Sequence, residues 1–186
     1  MHTNDTLHIL GISGSLRTGS YNTAALRTAQ SLAPKGMIID IFDIAPIPLY
    51  NEDIREQGFP PSVDDFRNRI KQADALLFVT PEYNYSIPGV LKNAIDWASR
   101  PPEQPFDGKP IAIMGASPSM LGTARCQYQL RQCFIFLNGY ILNRPEVMIA
   151  NAPSKFDQNG QLTDEKTKDL MRLQLDELAL WTKRLA

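Results

Sequence analysis

Short apolar runs alternate with segments of helical spacing along this 186-residue chain, about five times from end to end. Four runs are rich in Ile, Leu, Val and Met, and each is bordered on at least one side by Gly, Pro, Ser or Thr, as is typical of strands buried on both faces. These runs cover residues 7–12, 37–42, 75–80 and 111–116. A fifth strand is predicted from residues 140–142, from residues 147–149, or from both, around Pro145.

Helical spacing fills the intervals between these runs. One helix is predicted to follow Ser62 as its N-cap, with Asp65 in the first turn. Its apolar stripe recurs at steps of three and four residues and consists of Val63, Phe66, Ile70 and Ala73. Further helices are predicted over residues 22–32, 88–99 and 123–137, and from near Thr163 onward. This alternation predicts an α/β fold with a five-stranded parallel sheet and helices on both faces.

The composition predicts one globular domain over residues 1–186. Hydrophobic residues make up 43 % and charged residues 21 % of the chain, which excludes disorder, collagen-like repeats and a coiled coil as whole-chain structures. A chain of this length buries about 70 % of its unfolded surface, so it needs neither disulfides nor a structural metal. The net charge of −1 predicts no general attraction to nucleic acid or to an anionic membrane.

The chain carries no sequence signal for a membrane or for export. No apolar stretch approaches the ~18 residues of a membrane span, and residues 1–5 lack the basic start and apolar run of a signal peptide. The expected compartment is therefore the cytoplasm.

Cysteine and histidine are too scarce for several kinds of site. Cys126 and Cys133 lie seven positions apart in one predicted helix, so their Cα atoms are roughly 10 Å apart and cannot be bridged by a disulfide. The two histidines, His2 and His8, both lie near the N-terminus. We therefore expect no metal site and no Ser-His or Cys-His nucleophile.

The segment after the first predicted strand is rich in donors for an anion. It combines small residues, hydroxyls, one guanidinium and the start of a helix, a set that suits a phosphate group. Neither a triphosphate P-loop ending nor the spacing of a dinucleotide loop is present, so a terminal monophosphate fits better than a pyrophosphate. A plain Gly/Ser turn between strand and helix is the alternative. The segment reads Ser13-Gly14-Ser15-Leu16-Arg17-Thr18-Gly19-Ser20-Tyr21-Asn22.

Two later strands end in loops of a different character. Residues 80–89 contain two aromatic side chains, two prolines and an amide, which suits the holding of a flat heterocycle, although a Pro-stiffened turn is the alternative. Within this loop, Glu82 is also interpreted as an acid near a helix dipole. Residues 117–123 add hydroxyls and glycine. Because the carboxyl ends of parallel strands share one edge, the three loops together predict a site for flavin mononucleotide (FMN).

The loop sequences resemble the NADPH-dependent FMN reductase family, and most closely its bacterial quinone and chromate reductases. The similarity extends over residues 7–149. Its strongest parts are Gly14-Ser15-Leu16-Arg17 with Ser20 and Asn22, then Pro81-Glu82-Tyr83-Asn84-Tyr85-Ser86, and Leu91-Lys92-Asn93-Ala94-Ile95-Asp96-Trp97. The sequence departs from the family pattern at Pro118 and Met120, where the family sequences are richer in glycine.

The resemblance implies a flavodoxin-like, doubly wound fold and a homodimeric or homotetrameric oxidoreductase. Such an enzyme passes two electrons from NADPH or NADH, through FMN, to quinones and to acceptors such as chromate, azo or nitro compounds. The flavin carries the chemistry, so no side chain is assigned a catalytic role. The residues that the resemblance assigns to FMN are Ser15, Arg17, Ser20, Tyr21, Asn22, Pro81, Glu82, Tyr83, Asn84 and Ser117.

Other functions remain open from the sequence alone. A flavodoxin-like electron carrier that docks on proteins is the main alternative, and a redox-sensing interaction protein is another. An ordinary dehydrogenase would use Asp40 or Asp43 as a ribose ligand, but the glycine pattern that accompanies such a ligand is missing here. Preference for NADPH would require a 2′-phosphate partner, for which Arg17, Arg100 and Arg125 are the candidates.

A cation is misplaced at the start of one predicted helix. Arg125 falls in the first turn of helix 123–137, facing the positive end of the dipole, and Tyr128 shares its face one turn on. An arginine extended into water is one interpretation. The hypothesis suggested by the family's oligomers is that both residues face a neighbouring subunit, with Glu146 and Tyr85 as partners.

Overall fold

The computed structural model describes residues 6–186. Residues 1–5, which include His2 and on which the expectation of no signal peptide rests, lie outside the described residues. One parallel sheet forms the centre, in the order β2-β1-β3-β4 and then β5 and β6 at the edge. The strands are β1 Leu7–Ser13, β2 Met37–Phe42, β3 Ala75–Val79, β4 Pro110–Ala116, β5 Tyr140–Ile141 and β6 Val147–Ile149.

Both segments that the sequence offers for the fifth strand are used. The sheet has six strands, because β5 and β6 both pair with β4 and share the fifth position. Tyr140 and Ile141 lie beside the first two residues of β4, and β6 lies beside its last three. The residues between them include Pro145, which has no backbone N–H to continue the ladder.

Residues 6–186 contain six α-helices, five of them near the predicted bounds. They are α1 Tyr21–Ser31, α2 Glu52–Glu56, α3 Pro61–Gln72, α4 Gly89–Ala98, α5 Ala124–Phe136 and α6 Glu165–Leu185, with a 3₁₀ turn at Ala152–Ser154. Helix α2 was not predicted. The N-cap of α3 is Pro60 rather than Ser62, and Asp64 rather than Asp65 is its first-turn acid. Ser62 instead donates to the Pro46 carbonyl at 3.1 Å.

Helices cover both faces of the sheet, as predicted. Successive residues of the buried strands point to opposite layers, so Leu77 packs with α1 and α6 while Phe78 packs with α3, α4 and α5. Each such side chain removed from water contributes about 1.5–3 kcal/mol. The topology and the two layers are those of a flavodoxin-like α/β fold.

The remaining sequence expectations concern single residues. Cys126 and Cys133 both lie in α5 and are free thiols, and His8 is an exposed residue of β1. Among residues 6–186 no cluster of three potential metal-binding side chains is found. None of the helices in this part of the chain combines the length and apolarity that a bilayer-spanning segment requires.

Candidate functional site at the carboxyl edge of the sheet

The three predicted loops meet at one edge of the sheet. Backbone hydrogen bonds connect the strand ends directly: Gly14 N–H donates to Val79 O at 2.9 Å, and Thr80 N–H donates to Met114 O at 3.0 Å. Packing is close here, because a Cβ on Gly14 would lie 2.5 Å from Thr80 Oγ1. Only glycine lets the first loop approach β3 in this way.

The first loop, residues 14–20, leads into the N-terminus of α1. The Ser20 hydroxyl caps this helix, accepting from the N–H groups of Asn22 at 3.2 Å and Thr23 at 3.4 Å. No acidic residue lies in the first turn, so the positive end of the helix dipole has no counter-charge from its own helix. Ser15 is buried, whereas Arg17 is exposed with its guanidinium 5.6 Å from the Tyr21 ring centroid. This donor set has the chemistry to hold a phosphate.

Asn22 has a second role that the sequence did not reveal. Its buried side-chain amide bonds twice to the backbone of Ala116, accepting from the N–H at 2.7 Å and donating to the carbonyl at 2.9 Å. The amide thus joins the start of α1 to the end of β4. Its predicted contribution to a phosphate site would therefore come from its position at the helix start rather than from a free amide.

The third-strand loop contains a tight turn over residues 83–86. Tyr83 and Ser86 exchange backbone hydrogen bonds of 3.1 and 2.9 Å. The two central residues, Asn84 and Tyr85, have φ angles of 50° and 66°, which makes this a type I′ turn. A tyrosine in the left-handed region is strained, and such strain persists only where surrounding contacts enforce it.

Glu82, which precedes the turn, acts on α5 rather than on the helix that follows it. Its side chain is only 5 % exposed. Oε1 accepts from Arg125 Nε at 2.5 Å in an ion pair, and Oε2 accepts from the Cys126 N–H at 3.1 Å. The carboxylate therefore supplies the anion that the first turn of α5 lacks.

The ion pair also fixes the charge state of its cation. The hydrogen bond to Glu82 raises the pKa of Arg125. The Arg125 guanidinium carbon lies 3.5 Å from the centroid of the Tyr85 ring, in a cation–π contact. Sequence reasoning noticed the misplaced cation but not its partner, which lies 43 positions earlier in the chain.

The fourth-strand loop is held by its own hydroxyls. Ser117 Oγ accepts from the Ser119 N–H at 3.0 Å and is also 3.0 Å from Ser119 Oγ. Met120 is 84 % exposed at the tip of the loop. Leu16 and Tyr83, in the other two loops, are also exposed. Each loop thus offers an apolar side chain to solvent at the same edge, as a site for a flat, partly apolar ring requires.

The residues of the subunit hypothesis form two contacts within this chain. Arg125 stacks on Tyr85, and Tyr128 Oη lies 3.2 Å from Glu146 Oε2. The contact of these residues with a neighbouring subunit stays a prediction.

Other candidates from the sequence lie away from the three loops. Arg100 donates to the Asp96 carbonyl at the carboxyl end of α4, which points to the opposite edge of the sheet. Asp40 and Asp43 are exposed surface residues, as the sequence suggested for them. Of the three arginines considered for a 2′-phosphate, Arg17 and Arg125 therefore remain at the carboxyl edge.

Comparisons with known proteins match most of the chain. Residues 7–154 match the family model described as NADPH-dependent FMN reductase. The chain is 61 % identical over 181 residues to an NAD(P)H-dependent FMN reductase of Pseudomonas aeruginosa, covering 97 % of this chain and 98 % of the relative. It is 44 % identical over 184 residues to a quinone reductase of Escherichia coli K12, with coverage of 97 % and 98 %.

A solved structure agrees with both sequence matches. The flavoenzyme NAD(P)H:(acceptor) oxidoreductase from Paracoccus denitrificans superposes with a TM-score of 0.87 at 34 % identity, covering 96 % of this chain and 98 % of that one. The family match spans most of the described residues and includes all three loops at the carboxyl edge. The chain belongs to the NADPH-dependent FMN reductase family.

Proposed function

We propose that this protein is an FMN-dependent NAD(P)H oxidoreductase that reduces quinones by two-electron transfer. The observation that carries the proposal is the meeting of three loops at one sheet edge in a chain of this family. One loop offers phosphate donors at an uncompensated helix N-terminus, and the others offer exposed aromatic and apolar side chains.

The residues present fit FMN by their chemistry. The phosphate would be held by the loop and helix start that contain Ser15, Arg17, Ser20, Tyr21 and Asn22. The ring would lie against Pro81, Glu82, Tyr83 and Asn84, with Ser117 beside it. When bound, FMN supplies the redox chemistry, taking a hydride from the nicotinamide and passing two electrons to the acceptor.

The chain itself contributes binding, orientation and fixed dipoles. The type I′ turn holds its backbone in one conformation, so N–H groups next to Tyr83 can support negative charge on the edge of a bound ring without reorganising. Exposed Leu16 and Met120 would limit the access of water to the ring face. We assign no side chain as an acid or base.

Anaerobic stopped-flow spectroscopy tests this function. The protein purified with its flavin should release FMN, and not FAD, on denaturation. NADPH or NADH should bleach the bound flavin rapidly, and a quinone should then restore its absorbance. A flavin that neither nucleotide reduces would instead indicate an electron carrier, and the absence of bound FMN would overturn the assignment altogether.

The range of acceptors is a separate part of the proposal. An open site that selects by planarity and electron deficiency should also reduce chromate, azo and nitro compounds. Steady-state rates with each acceptor, at matched NADPH, test this range. Rates indistinguishable from the flavin-free reaction would restrict the activity to quinones.

We further propose a cytoplasmic homodimer or homotetramer in which Tyr85, Arg125, Tyr128 and Glu146 border the subunit contact. The exposed Tyr128 and its partner Glu146 support this, because a paired tyrosine and carboxylate can be shared across an interface. Since Arg125 has its own partner in Glu82, Tyr128→Ala is the sharper test. Sedimentation of this variant at low micromolar concentration should give a smaller mass, and an unchanged mass would refute the contact.

A further inference from the structure

The Glu82 carboxylate is buried with both oxygens engaged. One oxygen bonds to the Arg125 guanidinium and the other to the Cys126 N–H. Partners of this kind offset the cost of burying a carboxylate charge. The charge of Glu82 is therefore balanced by one cation and one helix-end amide, both from α5.

Arg125 connects Glu82 back to its own loop. Its guanidinium stacks on Tyr85, which lies three positions after Glu82 and holds the strained φ of 66°. A stacked guanidinium stabilises an aromatic ring at this distance, so the contact offsets part of the backbone strain. The same arginine thus contacts the residue before the turn and one of the two central residues of the turn.

We propose that Glu82 and Arg125 are a positioning pair that holds this turn against the flavin. Because their charges cancel, the pair also keeps the net charge beside the ring at zero. This inference rests on the proposed function, in which residues 81–84 carry the ring. A carboxylate freed from its partner would disfavour electrons on a nearby ring, and a freed guanidinium would favour them. The pair therefore acts on the flavin through both geometry and charge.

The two single variants should shift the midpoint potential of bound FMN in opposite directions. Arg125→Met leaves the Glu82 carboxylate unneutralised, so the midpoint potential of bound FMN should fall. Glu82→Gln keeps the side-chain shape and leaves the Arg125 charge unpaired, so the potential should rise. The double variant, which removes both charges, should return close to the parent potential. Loss of packing alone produces no such reversal of sign.

The experiment uses FMN-loaded protein and flavin-free protein side by side. Redox titration against reference dyes gives the midpoint potential, and quenching of flavin fluorescence gives the Kd of FMN. Each single variant should weaken FMN binding by at least about tenfold, and the double variant by less than the product of the two. Arg125→Lys, which keeps the charge, should restore the potential.

Arg172→Met is the matched control. It removes an arginine from an exposed pair with Asp169 on α6 and should change neither the potential nor the Kd. Urea unfolding of the flavin-free proteins identifies any variant that fails to fold. If Arg125→Met fails, Glu82→Gln and Arg125→Lys carry the test.

Two results would overturn the inference while leaving the proposed function intact. The first is that both single variants keep the parent potential and Kd, and the second is that both shift the potential in the same direction. If the parent protein itself binds no FMN, the proposed function fails instead, so the two failures are distinct.

Discussion

Asn22 and Ala116 lie 94 positions apart in the chain, yet the Asn22 side-chain amide pairs with both backbone polar groups of Ala116. Asn22 is in the first turn of α1, and Ala116 is the last residue of β4. The pair therefore sets the separation between the loop of residues 14–20 and the loop of residues 117–123. Those two loops border the proposed flavin site.

Asn22→Ala should destabilise the flavin-free protein. The substitution leaves a buried N–H and a buried carbonyl of Ala116 without these bonds, so we expect a loss of about 2–4 kcal/mol in the free energy of unfolding. Urea denaturation of the flavin-free protein measures it. Asn159→Ala, in an exposed turn, should change stability by less than about 0.5 kcal/mol. An equal loss in both variants would contradict the role of Asn22.

Arg17→Ala should weaken the binding of FMN with little effect on folding. A charge-assisted hydrogen bond contributes about 1.5–3 kcal/mol, so the Kd should rise about 10- to 150-fold. Fluorescence titration of the flavin-free protein measures the change. Arg27→Ala, on the exposed side of α1, provides the control and should leave the Kd unchanged. If Arg17→Ala binds FMN as tightly as the parent, Arg17 is not a phosphate ligand.

Initial-rate kinetics should give parallel lines in double-reciprocal plots. Nicotinamide and acceptor would use the same exposed face of the flavin in turn, so the first product leaves before the second substrate binds. Varying NADPH at several fixed quinone concentrations tests this order. Lines that intersect with every acceptor tried would indicate a ternary complex and two separate substrate sites.

Cys126 should make the stability of the protein decrease in alkaline solution. Burial raises the pKa of its thiol from 9.0 to about 12. Between these values the unfolded state binds fewer protons than the folded state, so stability falls as pH rises above 9.0, by up to about 1.4 kcal/mol per pH unit. Below that range the thiol is protonated in both states and has no effect.

Urea unfolding at about pH 8 and about pH 10.5 isolates this contribution, because Cys126→Ala removes it. The variant should lose less stability than the parent between the two pH values. Burial also raises the pKa of Cys133, but that thiol is partly exposed, so Cys133→Ala should change the pH dependence less. Identical pH dependence in the parent and Cys126→Ala would show that the Cys126 thiol ionises normally.

The sequence predicts the central strands closely because burial on both faces requires uninterrupted apolar runs. The predicted bounds of β2 are those observed, and the other central strands differ by one residue at an end. Helix α2 is not predicted because it has only five residues and buries none of them, so it leaves no apolar periodicity in the sequence. Ser62 was misassigned because Pro61 starts α3 with its fixed φ.

Contacts between distant residues could not be predicted in the same way. Local spacing shows a cation in the first turn of α5, but the partner in Glu82 depends on which strand ends lie side by side. The amide of Asn22 likewise finds Ala116 only once α1 packs beside β4. The positive φ of Tyr85 leaves no sign in its residue type, since a turn of that kind favours Gly or Asn.

The division of the fifth position between β5 and β6 also affects how the protein behaves at high concentration. A long, regular outer strand presents unpaired N–H and C=O groups on which another chain can add a strand. Here that border consists of segments of two and three residues separated by an irregular stretch. An incoming strand would find too few consecutive partners to stay in register, so this side of the molecule resists edge-to-edge aggregation.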